Sequence, residues 1–144
     1  MVYRAFDTHL DRSVAIFGFH PSHKWLLIGV SPGGEEIFPV AGGSPIVKNI
    51  LPPPLLSWTG DGKHLFLVGA NERWANTYVL PLSPGEVLPA SISRAERFPS
   101  EAEMAKLPRV RMIPMGDVVP GPTADVYAFT RETVQRNLYR IPLP

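Results

Sequence analysis

Two stretches of the chain follow one pattern, and this repetition limits the possible folds more than any other feature. The residues FHPSHKWLLIGV (19–30) align without a gap on WTGDGKHLFLVG (58–69), at an offset of 39 positions. In each, an aromatic residue precedes a polar turn, and a lysine (Lys24 or Lys63) precedes an apolar run that closes near a small residue. A polar turn between apolar runs is typical of a β-hairpin. The chain is therefore expected to build similar units in succession.

A third unit is indicated farther along the chain. Residues 65–82 align on residues 126–143 at an offset of 61, again without a gap. Four pairs are identical, among them Tyr78 with Tyr139, and both segments close on the pattern Tyr-x-Leu/Ile-Pro-Leu. Because the apolar pattern also matches, a repeat explains the alignment better than chance does.

Each unit is predicted to contain a strand, a polar turn, a strand, a loop and a further strand. The predicted strands cover residues 14–19, 26–30 and 36–40, then 55–58, 65–68 and 77–82, then 118–119, 126–130 and 138–143. Segments 45–51 and 108–114 occupy equivalent places and supply a fourth strand. About four strands per unit and a period near 40 are typical of β-propeller blades. We therefore expect an all-β fold, a partial propeller of about three four-stranded antiparallel blades with approximate repeats 13–50, 51–90 and 109–144.

The chain between the second and third units is predicted to be an inter-blade insertion, residues 91–108, that carries a short helix at 101–107. Ser100 and Glu103 have the spacing of a capping box, and Pro108 ends the run. Five basic residues surround this segment: Arg94, Arg97, Lys106, Arg109 and Arg111. They form either a solvated face or a docking surface for an acidic partner.

Composition narrows the class of protein further. Seventeen prolines and 12 glycines among 144 residues interrupt the chain so often that long helices are nearly excluded. A formal net charge of +1 does not favour nucleic acid or an acidic membrane as a partner. The absence of cysteine excludes disulfides and thiolate chemistry and leaves the compartment open. We expect neither a signal peptide nor a membrane-inserted segment in this chain.

The repeat resembles that of TolB-type propellers, relatives of the WD-repeat family. That blade carries W-S-P-D-G-K before a buried strand, and WTGDGKHLFLV followed by NTYVLPL is similar to it, with Thr59-Gly60 in place of Ser-Pro. The first unit keeps Pro21 but has Ser22-His23 where Asp-Gly is expected, and the third unit has lost the turn motif. The resemblance covers most of residues 13–144 and implies a propeller fold.

The same resemblance implies a class of function. The segment VYAFTRETVQRNLYRIPLP is similar to the closing part of propeller domains in bacterial serine/threonine kinases and related signalling proteins. We therefore expect a non-catalytic module that binds a protein, peptide or other ligand, without a cofactor. The alternative is the gating propeller of a prolyl-oligopeptidase-like serine peptidase whose catalytic domain lies outside this chain. The sequence contains neither kinase motifs nor a G-x-S-x-G elbow, and an enzyme that uses the propeller face directly is the least favoured hypothesis.

Three blades do not close a ring, because propellers typically have four to eight. An open array leaves the outer blades with bare edges and uncovered apolar faces. The chain is therefore expected to be part of a larger propeller, a truncated one, or a protomer that completes its ring with other copies.

Most candidate reactive residues occupy turn or loop positions. His20 and His23 have a spacing that suits a metal ion, but no third ligand is identifiable, so we predict turn histidines and no metal site. Asp61 is predicted to form an Asx turn. Four carboxylates without a visible pair are predicted to be solvated in loops: Asp7, Asp11, Glu35 and Glu36. The glycine-rich segments 31–34 and 41–44 suit hairpin turns better than phosphate binding, since neither leads from a strand into a helix.

One loop is a candidate binding site. Trp74 lies between two predicted strands, with Arg73 and Asn71 beside it. A loop tryptophan among polar residues can anchor a partner, although it can equally fold back onto its own blade. The aligned loop, residues 130–137, has Val134 instead of an aromatic residue, so the repeat does not require this tryptophan.

Overall fold

The computed structural model describes residues 3–7, 12–29, 35–50, 55–68, 75–93 and 98–130. These residues form three antiparallel sheets and two short helices, so the all-β expectation is confirmed, and the described part contains no closed barrel. The first sheet consists of β1 (Tyr3–Asp7), β2 (Arg12–Phe19), β3 (Trp25–Gly29), β4 (Glu35–Pro39) and β5 (Val47–Ile50). The second consists of β6 (Leu55–Trp58), β7 (His64–Val68), β8 (Thr77–Pro81) and β9 (Arg111–Ile113), and the third of β10 (Val118–Pro120) and β11 (Tyr127–Phe129). Within each sheet, neighbouring strands follow chain order.

The predicted strands agree with the observed ones to within two residues at either end over the described part of the chain, except that the strand predicted at 108–114 begins three residues later, as β9. Two elements were missed, namely β1 at the edge of the first sheet and the helix α1 (Ala90–Ser93). The first sheet thus has five strands rather than four. The predicted strand at 138–143 lies outside the described residues.

The repeat seen in the sequence has a counterpart in the hydrogen bonds of two turns. The amide of His20 donates to the carbonyl five residues later, and the amide of Thr59 does the same, both at 3.0 Å. His23 and Gly62 hold the same position in the two turns and both adopt positive φ, 57° and 66°. Because a left-handed residue is required there, glycine is the better choice and histidine carries some strain. The offset of 39 between the two hairpins is therefore confirmed.

The third hairpin corrects the sequence alignment by one residue. Gly121 donates to the carbonyl five residues later at 2.7 Å, as Thr59 does in the second sheet, so the turn keeps its length although its sequence has changed. Tyr127, rather than Val126, takes the place of Leu65 in the strand pairing. A shift of one residue in a strand exchanges its two faces, so the offset of 61 assigned these side chains to the wrong side of the sheet.

The second sheet packs between the other two. One face of β7 contributes Leu65 and Leu67 to a core shared with Leu27 and Ile37 of the first sheet. The opposite face contributes Phe66 to a smaller core that includes residues of β9 and β10. Burial on both faces explains why β7 is a continuous apolar run instead of an alternating pattern.

The insertion between β8 and β9 carries the helices α1 and α2 (Glu101–Met104) and is pinned to the second sheet. The predicted helix at 101–107 is real but shorter. Its capping box is present, since the Glu103 carboxylate accepts from the Ser100 amide at 2.8 Å. The Glu101 carboxylate accepts from the Asn76 side-chain amide at 2.9 Å, and Met104 is fully buried in the larger core. The insertion is thus part of the packed structure rather than an appendage.

Candidate functional site

The loop predicted to bind a partner lies outside the described residues. Asn71, Arg73 and Trp74 all belong to it, and their role as a binding site stays a prediction. The candidate site among the described residues is therefore built from other residues, most of which the sequence did not single out as a site.

The turns of the second and third sheets meet edge to edge. The amide of Gly60 donates to the carbonyl of Gly121 at 3.0 Å, and the amide of Asp61 donates to the carbonyl of Pro122 at 2.9 Å. A Cβ built on Gly60 would lie 3.1 Å from the Cα of Pro122, so the close approach of the two backbones favours glycine. Beside this junction opens a cleft of about 380 Å³. Its polar lining comes from Asp61, His64, Arg109, Arg111, Thr123 and Asp125.

Asp61, which lines the cleft, is held as an anion. The Thr59 hydroxyl donates to its Oδ1 at 2.6 Å and the Lys63 amide donates to the same atom at 3.0 Å, which confirms the predicted Asx turn. These two hydrogen bonds, the Thr59 one first, lower the pKa of Asp61 below its ordinary 3.8. The carboxylate is therefore ionised at neutral pH, and its Oδ2 is the atom that the turn leaves available.

Two guanidinium groups, those of Arg109 and Arg111, also line the cleft. Arg111 Nη1 contacts Asp125 Oδ1 at 2.8 Å, and its Nη2 donates to the carbonyl of Ala124. Both side chains of this ion pair are exposed, so it contributes at most about 1 kcal/mol to folding, and its main effect is to orient the guanidinium. Arg109 lies two residues before β9 begins, in a backbone conformation with φ of 62°. The sequence had grouped both arginines with the charged surface of the insertion, and tertiary folding brings them to the cleft.

His64 lines the same cleft from the start of β7. Its backbone amide donates to the Thr59 hydroxyl at 3.1 Å, which fixes the residue at the end of the turn. Its Nδ1 is buried and has no hydrogen-bond partner among the described residues. A buried polar atom without a partner is uncommon in a folded protein, and a ligand group can satisfy it.

Two further polar residues, His20 and Glu35, are each buried between the first and second sheets, at separate places. His20 is buried, with Nδ1 accepting from the Ser22 amide at 3.1 Å, which assigns the proton of the neutral ring to Nε2. Burial lowers the pKa of His20 below 6.5. Since Nδ1 is used by the turn, the predicted turn role of His20 is confirmed. Over the described residues, no three metal-binding side chains of the His, Cys, Asp or Glu type come together.

Glu35 contradicts the prediction that it is solvated in a loop. It begins β4 with only 2% of its surface exposed, and the backbone of Leu56 in the adjacent sheet hydrogen-bonds to its carboxyl. Burial raises its pKa to about 7, and its Oε2 has no hydrogen-bond partner among the described residues. The signal in the sequence was the alternation in β4: Glu35 is two positions before the buried Ile37 and therefore shares its face.

The cleft and the two buried residues, His20 and Glu35, differ in what they can do chemically. The cleft presents fixed carboxylates and guanidinium groups to solvent, an arrangement that recognises a ligand by ion pairs and hydrogen bonds. The two titratable groups between the sheets are shielded from solvent, so they respond to pH through stability.

Comparisons of this chain with protein-family models, with curated proteins and with solved structures find no match. In the described ranges, each helix is a single turn of four residues, and none has the length and apolarity that crossing a bilayer requires.

Proposed function

We propose that this chain is a non-catalytic binding module, built as part of a β-propeller, and that the polar cleft between its second and third sheets is the ligand site. The observation that carries the proposal is the cleft itself, where two arginines and two aspartates face one opening of about 380 Å³. Clefts of this size with a few oriented polar groups are the usual place for a ligand.

The propeller part of the proposal is supported by how the sheets succeed one another. In each sheet the strands follow chain order and run antiparallel, as in a propeller blade. Leu27 and Ile37 of the first sheet face the second, and the equivalent pair Phe66 and Val79 belongs to the core that the second shares with the third. The turns of successive sheets also lie side by side. The His20 ring of the first turn lies beside Gly62 of the second, and the Gly60 amide of the second turn donates a hydrogen bond to the Gly121 carbonyl of the third. Sheets that stack in chain order through equivalent faces are typical of a propeller.

The binding part of the proposal is supported by the charges of the cleft. Arg109 and Arg111 suit a carboxylate, which guanidinium groups bind through paired N–H donors. Asp61 suits an ammonium or amide donor a short distance away. A short peptide with an acidic side chain offers a carboxylate to the arginines and backbone N–H donors to Asp61. In the setting that the TolB-type resemblance implies, this would be the ligand-sensing part of a bacterial signalling protein such as a serine/threonine kinase.

The experiment is a titration of the whole chain with a panel of acidic tetrapeptides, followed by the shifts of its backbone amide resonances. We expect the largest shifts in the turn at 121–126 and around Arg109. The variant Arg109→Asn should weaken binding about tenfold, because one charge-assisted hydrogen bond is lost, while asparagine tolerates the positive φ.

The matched control is Lys106→Ala, which removes a neighbouring cation of the insertion that does not line the cleft. It should leave the affinity unchanged. Equal weakening by both variants would indicate non-specific attraction, and shifts that cluster away from the cleft would contradict the proposed site.

A further inference from the structure

Two sheet faces at opposite ends of the stack carry apolar side chains that are exposed. We call the face of the first and second sheets that packs on the following sheet the front, and the opposite face the rear. The rear of the third sheet is the face that packs on the second, and its front is the opposite face. The front of the third sheet presents Val119, which is 62% exposed, together with Val126 and Ala128. The rear of the first sheet presents Phe19, which is 51% exposed, beside the half-buried Leu26.

The equivalent positions inside the stack are fully covered. Phe19 pairs with Leu26 as Trp58 pairs with Leu65, so the two pairs hold the same place in successive sheets. Trp58 is only 9% exposed and Leu65 is inaccessible, because the front of the first sheet packs on them. The rear of the first sheet therefore has the pattern of a surface that a preceding sheet covers, and no preceding sheet is present among the described residues.

We infer that a second copy of this chain supplies the missing neighbours. The front of the third sheet of each copy packs on the rear of the first sheet of the other copy, and the two contacts together close the ring. The inference rests on the proposed propeller architecture. It assigns the two exposed faces as one head-to-tail interface, used twice in a closed pair of chains.

The step that relates one sheet to the next is the reason for choosing a second copy. Both internal interfaces join a front to a rear, and between the second and third sheets the contact includes backbone hydrogen bonds from Gly60 and Asp61 to the next turn. If the same front-to-rear contact is repeated beyond the third sheet, the front of that sheet packs on the rear of another sheet. Among the described sheets, the rear face that stays uncovered is that of the first sheet. Two copies provide six sheets, within the four to eight of known propellers, whereas three sheets do not close. A net charge of +1 per chain adds little repulsion.

The test measures the solution mass of the whole chain by light scattering and sedimentation. We expect a discrete species of twice the 15.9 kDa chain mass. Val119→Asp places a charge on the front face and Phe19→Asp places one on the rear face. Each variant alone should be monomeric, because every front-to-rear contact in it contains a charged face. Met112→Asp is the control, since Met112 is 52% exposed but lies on the outer strand β9, and it should remain dimeric.

Mixing the two monomeric variants separates head-to-tail contact from every other kind. The rear of Val119→Asp and the front of Phe19→Asp are both intact, so the mixture should recover a dimer held by one interface. Recovery also shows that both variants are folded. A symmetric front-to-front dimer predicts instead that Phe19→Asp remains dimeric and that mixing restores nothing, and either result overturns the inference.

A wild-type chain that is a monomer with a cooperative unfolding transition also overturns it, as does a mass of three or more chains. The proposed ligand site is tested separately. Peptide binding that depends on Arg109 in a monomeric chain would leave the proposed function intact, and a dimer that binds none of the peptides would remove the proposed function alone.

Discussion

The imidazole of His20 stands edge-on to the indole of Trp58, with ring centroids 5.2 Å apart and ring planes at 77°. His20 belongs to the turn of the first sheet, and Trp58 ends β6 of the second. The indole Nε1 also donates to the carbonyl of Val87 at 2.9 Å, in the segment that leads into the insertion. One side chain thus connects three parts of the chain that are distant in sequence.

Replacing Trp58 by phenylalanine should therefore destabilise the protein strongly for a change between two aromatic residues. The variant leaves the buried Val87 carbonyl without its donor and a void beside His20. We expect the free energy of unfolding to fall by about 2 kcal/mol, measured by urea denaturation. Trp25→Phe is the control: Trp25 is only partly buried, so the loss should be smaller. Equal losses would show that the indole hydrogen bond is unimportant.

His20 should make the protein less stable in mild acid. Its folded pKa is lowered from 6.5 by burial, so below pH 6.5 the unfolded chain takes up a proton that the folded chain resists. The stabilisation is present above pH 6.5 and is lost as the pH falls toward the folded pKa. We therefore expect the free energy of unfolding of His20→Gln, relative to that of wild type, to increase as the pH is lowered from about 7.5 to about 5.5, as measured by urea denaturation. A difference that does not change with pH would contradict the burial of a neutral ring.

Glu35 should act in the opposite direction. Its folded pKa of about 7 lies above the ordinary 4.5, so its contribution is fully present below pH 4.5 and is lost as the pH rises through 7. At about pH 8 the free energy of unfolding of Glu35→Gln should exceed that of wild type by up to about 3 kcal/mol, because an uncharged amide replaces a buried carboxylate. Urea denaturation measures the difference. Below about pH 4.5 the two proteins should be nearly equal. A variant that is less stable than wild type at about pH 8 would show that the carboxylate has a second stabilising partner besides the backbone of Leu56.

The paired turns predict opposite effects of changing the left-handed residue. His23→Gly should raise the free energy of unfolding by about 1 kcal/mol, because glycine adopts positive φ without strain. Gly62→Ala should lower it by about 1 kcal/mol for the same reason. A Cβ on Gly62 would lie 3.5 Å from His20 Cε1, an ordinary contact, so the loss comes from the backbone. Thermal unfolding of both variants checks the pair, and a stabilising Gly62→Ala would contradict the equivalence of the turns.

Much of the local structure was predictable because it depends on neighbours in sequence. The turn at Thr59–Lys63 was recognised from glycine and aspartate, whose backbone preferences act over a few residues. The Ser100–Glu103 cap was recognised for the same reason. The third hairpin was placed one residue out, because its turn lost the sequence motif and kept only its length.

The cleft was not predictable, because its walls come from segments far apart in the chain. Arg111 and Asp61 are 50 positions apart in sequence and face the same opening only after the turns of two sheets dock. The burial of Glu35 likewise depends on Leu56 of another sheet, and its pKa follows from that burial.

Amino-acid order alone was enough to locate the hairpins, their spacing and the all-β class, since apolar alternation and turn chemistry are properties of short segments. Which face of each sheet is covered, which carboxyl group keeps its proton near neutral pH and which charges share a cleft depended on the packing of sheet against sheet. Desolvation and ion pairing are set by distances through space, and these exist only once the sheets have stacked.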